Sequence, residues 1–287
     1  MRMTSSIDLA ALHATFKRGE YAVVLDALLP AFETFGTNEA ALALIANAAL
    51  LGDRPFTAIP ALERLIALRP DQAQYQRILS QARNRAGAAA RREKRLGDAE
   101  MFFCQALDTW PDNVDALFNL ALLYDDTRAH DQALPLWRRL RDLKPDDTEI
   151  ALDYANSLAL NRQTAEAQAI LEHLADRFES RPALMLRHAE ALANADRPRA
   201  AAARLKDIQP EPAHATRLYA LGDRLAQASD INAAETVYRL ATEPLGYGTH
   251  RQVCARLSPL ISPYLPFIAM PPTLWFTANA ICATSTH

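Results

Sequence analysis

The chain has 287 residues, of which 50% are hydrophobic, 23% charged and 7% aromatic, with a formal net charge of −3. That apolar content supplies a core and excludes wholesale disorder, while the weak negative charge excludes a strongly basic nucleic-acid binder. Eight Gly are too few for a chain of tight β-turns, and three Cys build no disulfide framework. Met1 to Phe16 carries Asp8 and His13 and lacks the apolar run of a signal peptide. Together with the low Cys count, this points to a cytoplasmic protein. Arg outnumbers Lys 27 to 4, which, with heavy Ala use, suggests a bacterial gene of high GC content.

In chain order, the apolar pattern divides into paired stretches at 5–38, 39–72, 73–113, 114–147, 148–181, 182–214 and 215–248. Each stretch runs for about 12–14 residues, a length suited to a short helix. The register comes from recurring residues. Ala99, Ala133, Ala167 and Ala201 are spaced by 34, and Ala234 follows after 33. Phe103, Trp137, Leu171, Leu205 and Tyr238 each fall four residues later. A small residue lets the second helix of a pair approach the first closely, and a large one a turn later fills the space beside it. Pro70, Pro111 and Pro145 stand where the second helix must stop, because Pro lacks an amide hydrogen and clashes with the preceding turn. One hairpin cannot bury its own apolar face, so the pairs must stack. The third pair is seven residues too long. With no Pro and only Gly87 between Asp71 and Arg95, it predicts one lengthened helix there, since seven residues is close to two turns.

The period and its anchors resemble the tetratricopeptide repeat (TPR) family. The likeness is strongest in the fourth pair: Leu117, Leu120, Ala121 and Tyr124 on the first helix, then Ala133, Trp137 and Leu140, closed by Pro145. The seventh pair shows Leu218, Leu221, Gly222 and Leu225, then Ala234, Tyr238 and Ala241. The other five pairs are more degenerate; the first has Val24 at the small position. The resemblance implies an all-α superhelical solenoid of about seven hairpins over 1–248. It further implies a non-catalytic scaffold that takes a peptide or protein segment in a concave groove lined by the first helices. Aligned groove positions hold Asn47 and Asn156 at one level, and Asn119, Arg85 and Arg187 at another. Asn donates and accepts hydrogen bonds at once, which suits an extended backbone, and Arg offers a planar fork for carboxylates. The family's Lys/Asn carboxylate clamp does not carry over, because Leu, Ala, Asn84, Phe118 or Tyr219 fills its Lys position. The Arg91/Arg92 pair belongs to a basic run on the long helix with Arg83, Arg85, Lys94 and Arg95. An acidic stretch of Asp112, Asp115, Asp125, Asp126 and Asp131 follows it. Two readings fit that run: a patch for an acidic ligand, or pairing between adjacent repeats.

No motif for nucleotide binding, zinc binding or serine hydrolysis occurs, and no cofactor or metal is expected. His188 reads as a groove or surface residue, Cys104 as a buried inert thiol, and Trp137 as core. The final segment, 249–287, breaks the period. All 34 acidic residues lie at or before Glu243, and the last 44 residues hold only Arg251 and Arg256 as charges. Five Pro argue against a membrane helix there. The segment reads either as a terminal cap or as the product of a frameshift or truncation near Arg251–Arg256. In the second case the array would be the substrate-recruiting arm of a TPR-linked transferase, SPINDLY-like glycosyltransferase or sulfotransferase.

Overall fold

The computed structural model describes residues 8–242, apart from 175–176, 178–180, 207, 209–213 and 229. The segment 249–287, expected as a cap or a shifted frame, lies outside the described residues. Among the described residues all regular structure is helical, with no strand. They form two compact units that divide after Pro145.

The first unit contains α1 (Leu9–Lys17), α2 (Tyr21–Leu28), a 3-10 segment (Leu29–Phe35), α3 (Glu39–Leu51), α4 (Pro55–Leu68), α5 (Ala73–Arg92), α6 (Leu96–Thr109), α7 (Val114–Asp126) and α8 (His130–Leu143). The second contains α9 (Thr148–Leu160), α10 (Thr164–Leu174), α11 (Pro182–Asn194), α12 (Pro198–Leu205), α13 (Ala215–Gln227) and α14 (Ile231–Thr242). Helices pack as hairpins: α3 with α4, α5 with α6, α7 with α8, α9 with α10, α11 with α12 and α13 with α14.

Local sequence explains where these helices start and stop. Side-chain oxygens of Asp8, Asn38, Asn113 and Asp147 accept amide hydrogens of the first turns of α1, α3, α7 and α9. They satisfy donors that have no intrahelical partner. Pro stands at the first position of α4, α11 and α12, where its missing N–H costs nothing. The five hairpin turns from α3/α4 to α11/α12 are each closed by a residue with positive φ: Asp53, Lys94, Arg128, Arg162 and Asp196. The following amide reaches back across the turn, as in Ala129 N–H to the Tyr124 carbonyl at 2.8 Å and Gln163 N–H to the Leu158 carbonyl at 2.9 Å. None of these five is Gly, so each of these five hairpins carries a backbone strain of about 1 kcal/mol that packing must offset.

The periodic anchors form the core. Ala58, Ala99, Ala133, Ala167, Ala201 and Ala234 are fully buried, as are Phe103, Trp137, Leu171, Leu205 and Tyr238. Val24, at the small position of the first hairpin, is buried as well. The first helix answers the large residue with a small one. A Cβ added at Gly87 would lie 2.6 Å from the Phe103 ring, and one added at Gly222 would lie 2.6 Å from the Tyr238 ring. Tyr238 cannot slide away, because its hydroxyl donates to Asp223 at 2.6 Å. Gly222→Val is therefore expected to destabilise the chain by about 1–3 kcal/mol through overpacking, although Val is the better helix former. Urea denaturation measures this, and an unchanged midpoint would refute the contact.

The long helix expected from about Asp71 to Arg95 is α5, at 20 residues against 13 for α3, α7, α9, α11 and α13. Counting back one period from Val114 reaches Ser80, so the extra turns are residues 73–79. They are anchored at both flanks. The Tyr75 hydroxyl donates to Glu39 at 3.0 Å, and the Arg77 guanidinium lies 4.3 Å from the Trp110 ring centroid. Below them, Ser80 donates to the Ala106 carbonyl and accepts from the Asn113 amide, both at 2.7 Å. That buried link ties α5 to the end of α6 and the start of α7.

Candidate binding face

The groove residues singled out from the sequence all lie on first helices of hairpins. In the first unit these are Asn47, Arg85, Arg91, Arg92 and Asn119. Asn47 is exposed on α3. Arg85, exposed on α5, donates to the Leu50 carbonyl at the end of α3 at 2.8 Å, an oxygen that also accepts the Asp53 amide at 3.4 Å. Asn119 on α7 donates to the Asn84 side-chain oxygen on α5 at 2.9 Å. Arg85 and Asn119 are thus each tied to a neighbouring first helix.

Most of the basic run on α5 is engaged. Arg91 pairs with Asp126 of the next hairpin. Arg83 pairs with Glu63 of the preceding hairpin at 2.8 Å and donates to the Gln105 carbonyl at 3.2 Å. Arg95 bonds Glu93 at 2.8 Å and Asp98 at 2.6 Å. The Arg83 and Arg91 pairs run between adjacent repeats, whereas those of Arg95 stay within its own hairpin turn. Arg92 is exposed and lines a cleft of about 440 Å³ with Asp53, Arg54, Pro55, Phe56, Thr57, Ala89 and Glu93.

The second unit holds Asn156 and Arg187. Arg187 on α11 pairs with Asp153 on α9 and lies 3.6 Å from Glu149. Asn156 on α9 accepts a hydrogen bond from the Asn194 amide on α11 at 2.7 Å. The Asn194 oxygen in turn accepts from Arg224 on α13. Arg217 on α13 grips Glu190 on α11 through two bonds, one of them Nε to Oε1 at 3.0 Å. Three consecutive first helices are therefore laced by polar side chains on one face.

Asn194, Arg224, Glu190 and Arg217 were missed by alignment at the strict period. Asn194 follows Asn156 by 38 residues and Arg224 follows Asn194 by 30, one turn beyond and one turn short of 34. Long side chains on adjacent helices meet at a stagger, which accounts for these one-turn offsets, whereas Glu190 and Arg217 stand 27 apart, about two turns short of the period.

His188 corrects the sequence reading. It was expected on the groove or the surface, yet only 1% of it is exposed. Leu184, Met185, Leu186, Ala189, Ala191 and Leu192 are buried around it, so α11 is covered over most of its circumference. A stretch buried on several sides has no clean polar face for periodicity to detect. His188 Nε2 lies 3.0 Å from the Leu171 carbonyl, which only accepts, so this nitrogen carries the hydrogen. Burial pushes its pKa down to about 4, helped by the nearby Arg204 guanidinium and opposed by the Leu171 carbonyl. Cys104 is half-buried rather than buried, and desolvation raises its pKa, which keeps it a protonated, unreactive thiol. Trp137 is core, as expected.

Among the described residues, no group of three or more His, Cys, Asp or Glu side chains is placed to hold a metal ion. Among the same residues, no helix is long and apolar enough to cross a membrane.

Residues 90–152 match the family model described as Tetratricopeptide repeat. Among curated proteins, none matches the chain. Among solved structures, the C-terminal part of a TPR repeat-containing protein from Cytophaga hutchinsonii is similar over 85% of this chain and 98% of that one, at 10% identity and a TM-score of 0.55. A tetratricopeptide repeat protein from Parabacteroides merdae is similar over 88% of this chain and 97% of that one, at 14% identity and a TM-score of 0.48. At such identities the likeness is one of fold.

Proposed function

We propose that this chain, a tetratricopeptide-repeat protein, is a non-catalytic scaffold that takes a peptide or protein segment along its first-helix faces. Repeat proteins of this kind use their stacked helices as extended binding surfaces. The observation that carries the reading is the lacing of first helices by Asn, Arg and carboxylate side chains. Such cross-helix bonds hold polar groups in place before a partner arrives, which lowers the entropy cost of binding. The array is taken to run over 1–248 as seven hairpins, with its groove at Asn47, Arg85, Arg91, Arg92, Asn119, Asn156 and Arg187, and the protein to work in the cytoplasm.

Asn47 and Arg92 are the cleanest probes, since both are exposed and neither bonds another side chain among the described residues. In a pull-down from the source cell, Asn47→Glu with Arg92→Glu is expected to weaken partner capture about tenfold, the cost of roughly one charge-assisted hydrogen bond. Arg85→Glu with Arg187→Glu should weaken it at least as much. Far-ultraviolet circular dichroism checks that helix content is kept. Capture unchanged in both double variants would remove these faces from consideration.

The acid-free stretch after Glu243 favours a second reading, a substrate-recruiting arm of a TPR-linked glycosyltransferase or sulfotransferase. Reading the gene beyond the codon for Thr249 in all three frames tests it. A transferase sequence in a shifted frame would replace the scaffold reading, whereas random codons would end the arm reading.

A further inference from the structure

The cross-helix chain from Asn156 to Arg224 has a direction, and the direction has a chemical consequence. A guanidinium donates and never accepts. Arg224 Nη1 bonds Asn194, so the atom that Asn194 turns to it is the side-chain oxygen. The amide nitrogen of Asn194 is then committed to the other end, where it donates to Asn156 Oδ1 at 2.7 Å. Asn156 has only its own NH2 group left. Because Arg224 sets the sequence of donors and acceptors, neither Asn can flip without placing two donors or two acceptors face to face.

That remaining NH2 group bonds no other group among the described residues, and Asn156 is only half-buried. Nor is its nitrogen among the buried polar atoms left without a partner, so it is open to solvent. The charges nearby agree with the same ligand. Arg181, Arg187 and Arg217 are matched by Glu149, Asp153 and Glu190. Among the described residues, Arg224 bonds only the neutral Asn194, is exposed and is left as the uncompensated charge of the face. An open pair of N–H donors linked to an unmatched guanidinium favours an anionic acceptor over a neutral one.

We propose that the second unit selects an acidic segment, a Glu or Asp side chain of an extended peptide, through the Asn156 NH2 group polarised by Asn194 and Arg224. The proposal rests on the scaffold reading and gives it a partner chemistry. Asn156 is the contact, and Asn194 and Arg224 are positioning residues.

The test uses the full chain and two capped peptides, one of alternating Gly and Glu and the other with Gln for every Glu. The readout is the nitrogen-15 shift of the Asn156 side-chain amide, assigned with Asn156→Ser. The Glu peptide is expected to shift that signal and to bind about tenfold or more tightly than the Gln peptide, as expected for one charge-assisted hydrogen bond. Asn194→Asp supplies acceptors to both neighbours, so the Asn156 amide turns its oxygen outward, and the preference for Glu is expected to vanish. Arg224→Met keeps most of the side-chain volume and should lower the preference several-fold, which covers the case in which the Asp variant fails to fold. Equal binding of the two peptides, no shift of Asn156 at millimolar Glu peptide, or an unchanged preference in Arg224→Met would each overturn the proposal. Any of these together with intact capture in the pull-down would leave the scaffold reading standing.

Discussion

Trp137→Ala is expected to cost about 3–5 kcal/mol, the range for deleting a fully buried aromatic side chain. The indole is completely buried in α8 and meets the Phe118 ring edge-on, with centroids 5.4 Å apart. Its N–H also donates to Asp125 at 2.7 Å. Burial pushes the Asp125 pKa up, while the Trp137 and His130 hydrogen bonds hold it down, so removing the indole strands a carboxylate already short of solvation. Trp137→Phe separates the two effects. It keeps most of the ring volume and removes the donor, and should cost about 1–3 kcal/mol. Urea denaturation followed by circular dichroism orders the three proteins. If the Phe variant lost as much stability as the Ala variant, the hydrogen bond rather than the packing would dominate. Because repeats touch mainly their neighbours, hydrogen exchange should show the loss concentrated in α7 and α8.

Acid sensitivity from His188 is the second large effect. The folded chain holds this imidazole at a pKa of about 4, against an ordinary value of 6.5. As pH falls, the unfolded chain therefore takes the proton first and is stabilised relative to the folded one. Stability is fully present above about pH 6.5, declines between pH 6.5 and 4, and loses nothing further to this group below that. The difference amounts to about 3 kcal/mol. Carboxylates titrate at the lower end of the same window, so the measurement is a comparison. Urea midpoints at pH 7.5 and pH 4.5 should differ less in His188→Gln than in the parent, since Gln can still donate to the Leu171 carbonyl but takes no proton. An equal pH difference in the two proteins would show that His188 is not the responsible group.

The hairpins were legible because their cause is local and periodic. A small residue followed one turn later by a large one, repeated at Ala99 and Phe103, Ala133 and Trp137, and Ala234 and Tyr238, admits a single packing of two short helices. The prolines that end the second helices act through their own covalent geometry and need no tertiary context. The lengthened α5 was also legible, from the seven surplus residues and the absence of a helix breaker. The glycines at 87 and 222 complete the pattern from the other side, each facing the aromatic residue 16 positions later.

The binding face was legible only in part, since Asn156 and Arg187 could be singled out by register while their partners could not. Side-chain reach across packed helices departs from the repeat by a full turn, so Asn194 and Arg224 fall at spacings that no strict period marks. The basic run on α5 read equally as a patch or as pairing between repeats, and which acids meet it, Glu63 and Asp126 of adjacent hairpins, depended on the fold. His188 looked exposed until the neighbours of α11 closed around it. The sequence by itself determined an all-helical chain of repeated hairpins and which residues fill its core, because these follow from helix period, side-chain volume and the geometry of Pro. Only the tertiary structure decided which charges are already matched, which histidine is denied water and which amide nitrogen is left open, because each of these depends on what a neighbouring helix brings within hydrogen-bonding distance.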